Sequence, residues 1–250
     1  MAKPLSRRKL LGAAIGVSAA GGAAYLAGKN GLVPPDHGGI YGIGETLTYA
    51  SQRLLTSRHS LAREFQRSEI SNVFPVNGDP PTSDTYRRLL AQRFRDWRLT
   101  IDGLVDHPTQ LSLADLKSYP PRSQITEQAC EEGWSSIAEW TGVPLSYVLN
   151  LAGVLPQAKY VAYFSFQDDW WDSIDLPEAM HPQTLMAYAM NGSELSTGHG
   201  APLRMRVPRQ LGYKSIKYLT RITVTDTLKN IGSGLGSSSP DTGYSWYAGI

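Results

Sequence analysis

The chain contains a single cysteine, Cys130, among its 250 residues. One thiol cannot form an internal disulfide, so the fold has to be stabilised by a hydrophobic core. The length allows one sizeable domain, and the hydrophobic content of 41% is ordinary for a globular protein with a full core. Cys130 itself is then explained by packing, by reactivity or by metal ligation.

The N-terminal residues contain an export pattern. Arg7 and Arg8 precede an uncharged stretch, residues 10–28, that is rich in Gly and Ala. This pattern is typical of a twin-arginine signal, which engages the twin-arginine translocon and exports a chain that has already folded. The stretch is also long enough to form a small transmembrane anchor, although Gly and Ala make its transfer into lipid weak. Both interpretations of residues 1–29 place the remainder in the periplasm or on the outer face of the cytoplasmic membrane.

The charge distribution supports this division of the chain. Residues 1–29 carry five basic and no acidic residues, whereas the remainder carries 19 basic and 22 acidic residues. The formal net charge of +2 therefore originates in the export segment. It gives no indication of a nucleic-acid partner.

Residues 30–70 are predicted to form a linker and a helix ahead of the main domain, 71–250. Gly and Pro dominate residues 30–44, and residues 46–65 have the periodicity of an amphipathic helix. Its apolar face is predicted to contain Leu47, Ala50, Leu54, Leu61 and Phe65.

Strand periodicity dominates the main domain. Strands are predicted at 97–105, 159–166, 203–207 and 218–226. Ser112 is expected to cap a short helix, and a second helix is expected between Pro144 and Gly153. Strands outnumber helices without regular alternation, so the sequence predicts a mixed, mainly antiparallel, β-rich α+β fold rather than a doubly wound sheet.

Aromatic residues near the C-terminus are expected to pack against the domain, because burying each one contributes a few kcal/mol. These residues are Tyr244, Trp246 and Tyr247. Adjacent Trp170 and Trp171 would point to opposite sides of a strand, which places one of them in the core.

Cys130 has three interpretations on its residue type alone. Cysteine is among the most buried residue types, so a packed core thiol is one of them. A catalytic nucleophile would need a base from the five histidines of the chain, and none lies in a recognisable cysteine-protease context. A soft metal ion bound by one thiolate needs its remaining ligands from another source, such as a dithiolene cofactor.

A second group of potential ligands lies in residues 199–217. It combines glycines and a serine with five basic residues: Arg204, Arg206, Arg209, Lys214 and Lys217. These charges could line a solvated strand edge. They could equally bind an anionic phosphate tail, for which guanidinium, ammonium and backbone N–H groups are suited.

Together, the strings TEQACEEGWSSIAEWTGVPLSYVL and HGAPLRMRVPRQLGYKSIK resemble the molybdopterin-binding domain of the sulfite oxidase family. The resemblance runs from about residue 74 to residue 250. It is strongest to exported bacterial members that consist of the catalytic subunit, similar to periplasmic methionine sulfoxide reductase. It implies a sulfite-oxidase-type α+β domain and a molybdenum-dependent oxidoreductase.

By this resemblance, Cys130 supplies the one protein thiolate to molybdenum and is the catalytic residue. His199 and Arg204 match the family's contacts to the pterin and its phosphate. A further stretch that grips the cofactor matches Ser215, Ile216 and Lys217.

Two more cofactor contacts follow from the same resemblance. Asn77 matches the asparagine of an R-N-H-x-x-x-P segment, although Val76 and Gly78 replace its neighbours here. Ser165 lies at the spacing where relatives place a hydroxyl residue near the pterin.

The resemblance implies a molybdenum–molybdopterin cofactor. One cysteine cannot form a C-x-x-C-H site, so no haem is expected in this chain. Electrons would then be exchanged with a separate redox protein, for which a membrane cytochrome b is the expected class. The alternatives outside molybdenum chemistry are a cysteine-dependent hydrolase and a cofactor-free cell-surface binding module.

The residues after the cysteine predict the direction of the reaction. Sulfite oxidases of this family have basic residues there, which suit a doubly charged anion, whereas this chain has Glu131 and Glu132. Two carboxylates would repel sulfite. Trp134 and a tryptophan of the pair at 170–171 suit a neutral, partly apolar small molecule. The expected reaction is oxygen-atom transfer that reduces a neutral sulfoxide or N-oxide, with sulfite oxidation as the alternative.

Overall fold

The computed structural model describes residues 28, 31–39, 42–55, 60–167 and 170–250. Arg7, Arg8 and nearly all of the uncharged stretch lie outside the described residues. None of the described helices has the length and hydropathy needed to cross a membrane.

Strands and short helices make up the described part of the chain. The helices are α1 Ile43–Leu55, α2 Asp84–Ala91, α3 Leu113–Ser118, α4 Leu145–Ala152 and α5 Leu176–Ala179. The strands are β1 Arg98–Gly103, β2 Thr109–Ser112, β3 Arg122–Ala129, β4 Ser135–Pro144, β5 Tyr160–Ser165, β6 Trp171–Asp175, β7 Leu185–Met190, β8 Ser193–Glu194, β9 Arg204–Arg206 and β10 Leu219–Thr225.

The strands form two five-stranded sheets. The first has the order β2-β1-β10-β5-β6, and the second has the order β3-β4-β7-β8 with β9 also paired to β7. The pairing of β1 with β10 is parallel, and the other pairings of named strands are antiparallel. Buried side chains of both sheets belong to one hydrophobic cluster. The predicted mixed, mainly antiparallel α+β fold is confirmed.

Local capping explains two of the helices. The Ser112 hydroxyl accepts a hydrogen bond from the Asp115 N–H at 3.1 Å while the Asp115 carboxylate accepts one from the Ser112 N–H, so α3 begins with a capping box. Helix α4 follows Pro144 directly and ends at Gly153, whose φ of 71° is the left-handed conformation that glycine adopts freely. Both predicted helices are confirmed.

The predicted helix over 46–65 is wrong in its second half. Helix α1 ends at Leu55, and Glu64 and Phe65 pair with strand β3 instead. The Phe65 N–H donates to the Ile125 carbonyl at 2.9 Å, and Glu64 forms a bridge with Thr126. Backbone pairing to a sheet edge overrides the helical periodicity here.

Leu47 and Leu54 share one face of α1, as predicted, but that face points to solvent. Leu47 and Leu54 are exposed, whereas Glu45 and Tyr49 are buried. The buried side chains have polar partners on the domain, which hold this side of α1 inward. The Tyr49 hydroxyl, for example, donates to the Asp175 carboxylate at 2.9 Å.

The aromatic residues largely follow expectation. Trp246 and Tyr247 are buried with their rings against Tyr49, at centroid distances of 5.7 and 5.2 Å from it. Tyr244 is exposed, so its predicted burial is wrong; its ring stacks on that of Tyr213 at the surface. Trp171 is buried and Trp170 is exposed, which confirms that one tryptophan of the pair lies in the core.

Strands β4 and β7 approach each other so closely at Gly142 that a side chain cannot fit. A Cβ there would lie 2.0 Å from the Met186 carbonyl oxygen and 2.6 Å from the Ala187 Cα. Gly142→Ala should therefore lower the free energy of unfolding by about 2–3 kcal/mol, because backbone atoms have to move. Gly44→Ala is the control: it meets no atom within 4 Å, so unfolding in denaturant should show unchanged or slightly higher stability. Equal stability of the two variants would contradict the close approach.

Candidate functional site

Cys130 lies in the tight connection between strands β3 and β4. Its N–H donates to the Trp134 carbonyl at 2.8 Å, and the Gly133 N–H donates to the Cys130 carbonyl at 3.1 Å. Gly133 has a φ of 90°, which only glycine adopts without strain. The turn fixes the buried thiol at the end of the hairpin.

Two side chains reach the sulfur atom. The Asn77 amide Nδ2 lies 3.7 Å from Sγ, and the Glu131 Oε2 lies 3.5 Å from Sγ. Burial, together with the charge and hydrogen bond of Glu131, raises the pKa of the Cys130 thiol to about 11. The sulfur is therefore protonated near neutral pH when the chain alone surrounds it.

Lys217 fastens the segment that contains Asn77 to the domain. Its ammonium donates to the Asn77 carbonyl at 2.5 Å and to the Gly198 carbonyl at 3.0 Å. Burial and the neighbouring Arg204 lower the pKa of Lys217 to about 8. The backbone of this lysine also accepts a hydrogen bond from the Ser165 hydroxyl at 2.9 Å, which connects strand β5 to the same place.

Phe74 forms the aromatic part of the site, because its ring meets three others edge to face. The ring centroids lie 5.8 Å from Trp134, 5.3 Å from Trp140 and 5.7 Å from His199. His199 Nε2 is 3.2 Å from the Phe74 carbonyl oxygen, and its Nδ1 is 2.8 Å from the Ser196 hydroxyl. Burial lowers the pKa of His199.

Two buried arginines on strand β9 form the charged part of the site. Alternate residues of a strand share a face, so Arg204 and Arg206 both point at Trp140, with guanidinium carbons 4.9 and 4.6 Å from the ring centroid. Both donate to the Gln128 side-chain oxygen. Neither ion-pairs with a carboxylate of the described chain. Burial lowers the pKa of Arg204 to about 10, and burial together with Arg204 lowers that of Arg206.

Four buried polar atoms in this region have no hydrogen-bond partner among the described residues: Arg204 Nε, Arg206 Nε, Trp140 Nε1 and Tyr218 Oη. Such groups are rare in native structures because desolvation without a partner costs free energy. Unused donors beside two uncompensated positive charges suit a phosphate group, which accepts several charge-assisted hydrogen bonds. The residues present therefore fit an anionic cofactor.

The cofactor-gripping stretch predicted from sequence lies against these arginines. The Ser215 carbonyl accepts from Arg204 at 2.8 Å, and its hydroxyl accepts from Arg206 at 3.2 Å. The Ile216 carbonyl accepts from the Met205 N–H at 2.9 Å. Contacts of this kind bring all the predicted site residues into one region: Asn77, Cys130, Ser165, His199, Arg204, Ser215, Ile216 and Lys217.

The remaining basic residues of 199–217 have a different task. Arg209 pairs with Glu178 at 2.8 Å, and Lys214 pairs with Asp172 at 2.5 Å, in each case with both side chains buried. These two are internal ion pairs. The interpretation of the run as a solvated strand edge is therefore wrong.

Sequence reasoning missed Gln128 and Trp140. Gln128 precedes Cys130 by two residues, and its amide oxygen joins the two arginines. The period of two in strand β3 could have placed it on the same side as the cysteine. Trp140 lies in strand β4, and the pairing of β4 with β7 and of β7 with β9 brings it under the guanidinium groups.

Comparison with known proteins places this chain in a family. Residues 88–230 match the family model described as oxidoreductase molybdopterin binding domain. The chain is 36% identical over 201 residues to the provisionally named protein-methionine-sulfoxide reductase subunit YedZ1 of Azospira oryzae, covering 79% of this chain and 71% of the relative. It is 32% identical over 179 residues to the protein-methionine-sulfoxide reductase catalytic subunit MsrP of Campylobacter jejuni, covering 64% of this chain and 59% of the relative.

One solved structure is similar to part of this chain. The sulfane dehydrogenase SoxCD from Paracoccus pantotrophus is similar with a TM-score of 0.51 and 27% identity, over 53% of this chain and 39% of that chain. The family match spans more than half of the chain and includes Cys130, Arg204 and Arg206. The chain is therefore an enzyme that belongs to the family of oxidoreductases with a molybdopterin-binding domain.

Proposed function

We propose that this chain is a molybdopterin-dependent reductase of the cell envelope that removes an oxygen atom from a neutral sulfoxide or N-oxide. The similarity to protein-methionine-sulfoxide reductase chains supports the reaction class. The observation that carries the choice of substrate is the Glu131 carboxylate, 3.5 Å from the Cys130 sulfur.

Cys130 is the proposed protein ligand to molybdenum. The bound cofactor would supply the two-electron and oxygen-transfer chemistry. A thiol whose pKa is raised to about 11 is a weak nucleophile at neutral pH, but a metal ion deprotonates the thiol that ligates it. The same environment therefore disfavours a cysteine-dependent hydrolase and allows a metal thiolate.

Arg204 and Arg206 are the proposed partners of the cofactor phosphate. A buried guanidinium without a counter-charge costs several kcal/mol, and a phosphate beside both would offset this cost. Their contacts to Gln128 and Trp140 orient them before anything binds. Ser215, Ile216 and Lys217 would complete the cradle through their backbone and the lysine charge, and Asn77, Ser165 and His199 would border the pterin.

Glu131 is the proposed selectivity element. Two unit charges 8 Å apart at an effective dielectric of 20 interact by about 2 kcal/mol, and a sulfite dianion would experience roughly twice that repulsion. A sulfoxide or N-oxide carries no net charge and avoids this penalty. Apolar side chains occur on the two segments that carry Asn77 and Cys130: the rings of Phe74 and Trp134 are in contact, and Val76 is exposed. Such side chains suit the substituents of a neutral substrate.

Reduction of a sulfoxide consumes two electrons and two protons and releases a sulfide and water. The electrons would come from a separate redox protein, for which we propose a membrane cytochrome b. Export by the twin-arginine route through Arg7 and Arg8 would place the enzyme in the periplasm or on the outer face of the cytoplasmic membrane.

Steady-state assays decide between reduction and sulfite oxidation. With reduced viologen, the enzyme should turn over a panel of sulfoxides and N-oxides, whereas sulfite with an artificial acceptor should give little activity. Glu131→Gln should raise kcat/KM for sulfite by roughly thirtyfold or more, because it removes at least about 2 kcal/mol of repulsion. Glu69→Gln is the surface control and should change neither activity. Rapid sulfite oxidation without sulfoxide reduction would reverse the assignment.

Cofactor retention should depend on Arg204. Loss of one partner of a buried charged hydrogen-bonded pair costs about 2–5 kcal/mol, so Arg204→Met should purify with sub-stoichiometric pterin. The methionine keeps much of the side-chain volume and removes a buried charge, so the cofactor-free variant should remain folded in denaturant titrations. Arg221→Ala, which removes an exposed arginine paired with Asp102, should keep full pterin content. Full pterin in Arg204→Met would contradict the phosphate site.

Cys130 in the cofactor-free chain should react slowly with iodoacetamide near pH 8, and the rate should still be rising at about pH 11, because the thiolate is the reactive form. Glu131→Gln removes a charge and a hydrogen bond that raise this pKa, so it should increase the rate at pH 8. Mass spectrometry of the alkylated peptide measures both. A fast, pH-independent reaction would instead support an activated nucleophile.

Export should fail when the arginine pair is changed to lysine. Arg7→Lys with Arg8→Lys preserves the charge but removes the residues that the twin-arginine route reads. Active enzyme should then accumulate in the cytoplasm, as measured by cell fractionation. Unchanged delivery across the membrane would indicate an ordinary signal or anchor.

A further inference from the structure

Helix α1 turns its apolar side to solvent. Ile43, Leu47 and Leu54 are 79%, 65% and 73% exposed. With about 100° of rotation per residue, these three positions fall within about 40° of one another around the helix. Large apolar side chains on one face of a surface helix normally point to the core, so this orientation needs an explanation.

Buried polar contacts on the other side of α1 fix this orientation. The Glu45 carboxylate accepts from the Ser245 hydroxyl at 2.9 Å, and Arg53 forms an ion pair with Asp175 and lies 3.7 Å from Glu178. Rotating the helix to bury its leucines would expose or break these contacts. Leaving one member of a buried ion pair alone is costly, so the apolar face stays outward.

The apolar face continues on both sides of the helix. On one side, exposed Leu61 and Ile250 line a cleft with Gln52 of α1; on the other side, exposed Tyr244 lines a cleft with Gly44 and Thr48. The exposed residues of α1 include no charged side chain; they are Ile43, Gly44, Leu47, Thr48, Ser51 and Leu54. We call the apolar members of this surface the α1 face: Ile43, Leu47, Leu54, Leu61 and Ile250.

We propose that the α1 face lies on the surface of a phospholipid bilayer. The uncharged residues 10–28 end fifteen positions before α1 begins, and this stretch is long enough to span a hydrocarbon core. Fifteen extended residues reach at most about 50 Å, so a membrane-inserted segment would hold the α1 face close to the lipid. Such tethering gives the α1 face a high effective concentration at the bilayer surface, so a small apolar area suffices for contact with the lipid.

The chemistry of the α1 face agrees with a lipid interface. Interfacial helices bury an apolar side into the headgroup and acyl boundary, and tyrosines are frequent at that level. Here the polar residues of α1 that face outward are the hydroxyls of Thr48 and Ser51, which do not oppose partial immersion, and Tyr244 lies at the edge. The inference concerns the position of the enzyme and is independent of the reaction it catalyses.

A spin label at Leu47 tests the position of the α1 face. The full-length holoenzyme with Leu47→Cys would be labelled and bound to vesicles of phosphatidylethanolamine and phosphatidylglycerol. Leu151→Cys, an exposed leucine on helix α4, is the matched control, and the unsubstituted chain reports any labelling of buried Cys130. Collision rates of the label with oxygen, which dissolves in lipid, and with a water-soluble nickel chelate give its depth.

The label at Leu47 should collide with oxygen several times more often than with the nickel chelate, and the label at Leu151 should show the reverse. Ile43→Glu, added to the Leu47 variant, should move the label back towards water, whereas Leu151→Glu should not. Aqueous behaviour of the Leu47 label would overturn the proposal. Protection from both reagents would also overturn it, because protein, either a second copy or residues 10–28, would then cover the face.

Discussion

The candidate site is built around two buried positive charges, those of Arg204 and Arg206. Neither guanidinium pairs with a carboxylate among the described residues. Arg204 and Arg206 stack on Trp140 and share the amide oxygen of Gln128. The cost of desolvating them is not offset by any ion pair in the described chain, in contrast to the neighbouring Arg209, which pairs with Glu178. A domain with this arrangement gains stability when an anion binds, because only the folded state has the site.

The topology explains why the thiol and the charges lie together. Gln128 lies in strand β3 and Cys130 directly follows that strand, β4 returns with Trp140, and β7 joins β4 to β9 with its two arginines. The other sheet supplies Ser165 at the end of β5 and the backbone leading into β10. The residues proposed to hold the cofactor therefore come from both sheets.

Local chemistry made parts of the fold predictable. Ser112 and Asp115 form a capping box, and Gly153 ends α4, because these features need only neighbouring residues. The helix predicted over 46–65 is wrong beyond Leu55, where Glu64 and Phe65 pair with the edge strand β3. The outward direction of its apolar face could not be predicted because the partners of Tyr49 and Arg53 lie more than 120 positions away in the sequence.

The residues of the candidate site could be proposed from the sequence strings that resemble the family. Their residue types alone left several interpretations open. The sequence does not show that Arg204 is buried without a carboxylate partner, because the same run of basic residues contains Arg209 and Lys214, which form ion pairs. The position of Gln128 and Trp140 beside the two arginines follows only from strand pairing. Adjacency in the sequence left open whether the Glu131 carboxylate faces solvent or the Cys130 sulfur, and in the structure it lies 3.5 Å from the sulfur.

The most direct test of this account is the molybdenum content of the purified chain. Elemental analysis of protein matured in the cytoplasm should give about one molybdenum per chain together with one pterin. Cys130→Ala should lose most of the metal or change its EPR signal, because it removes the proposed protein ligand. A chain without molybdenum, or a Cys130→Ala variant with unchanged metal content, EPR signal and turnover, would contradict it.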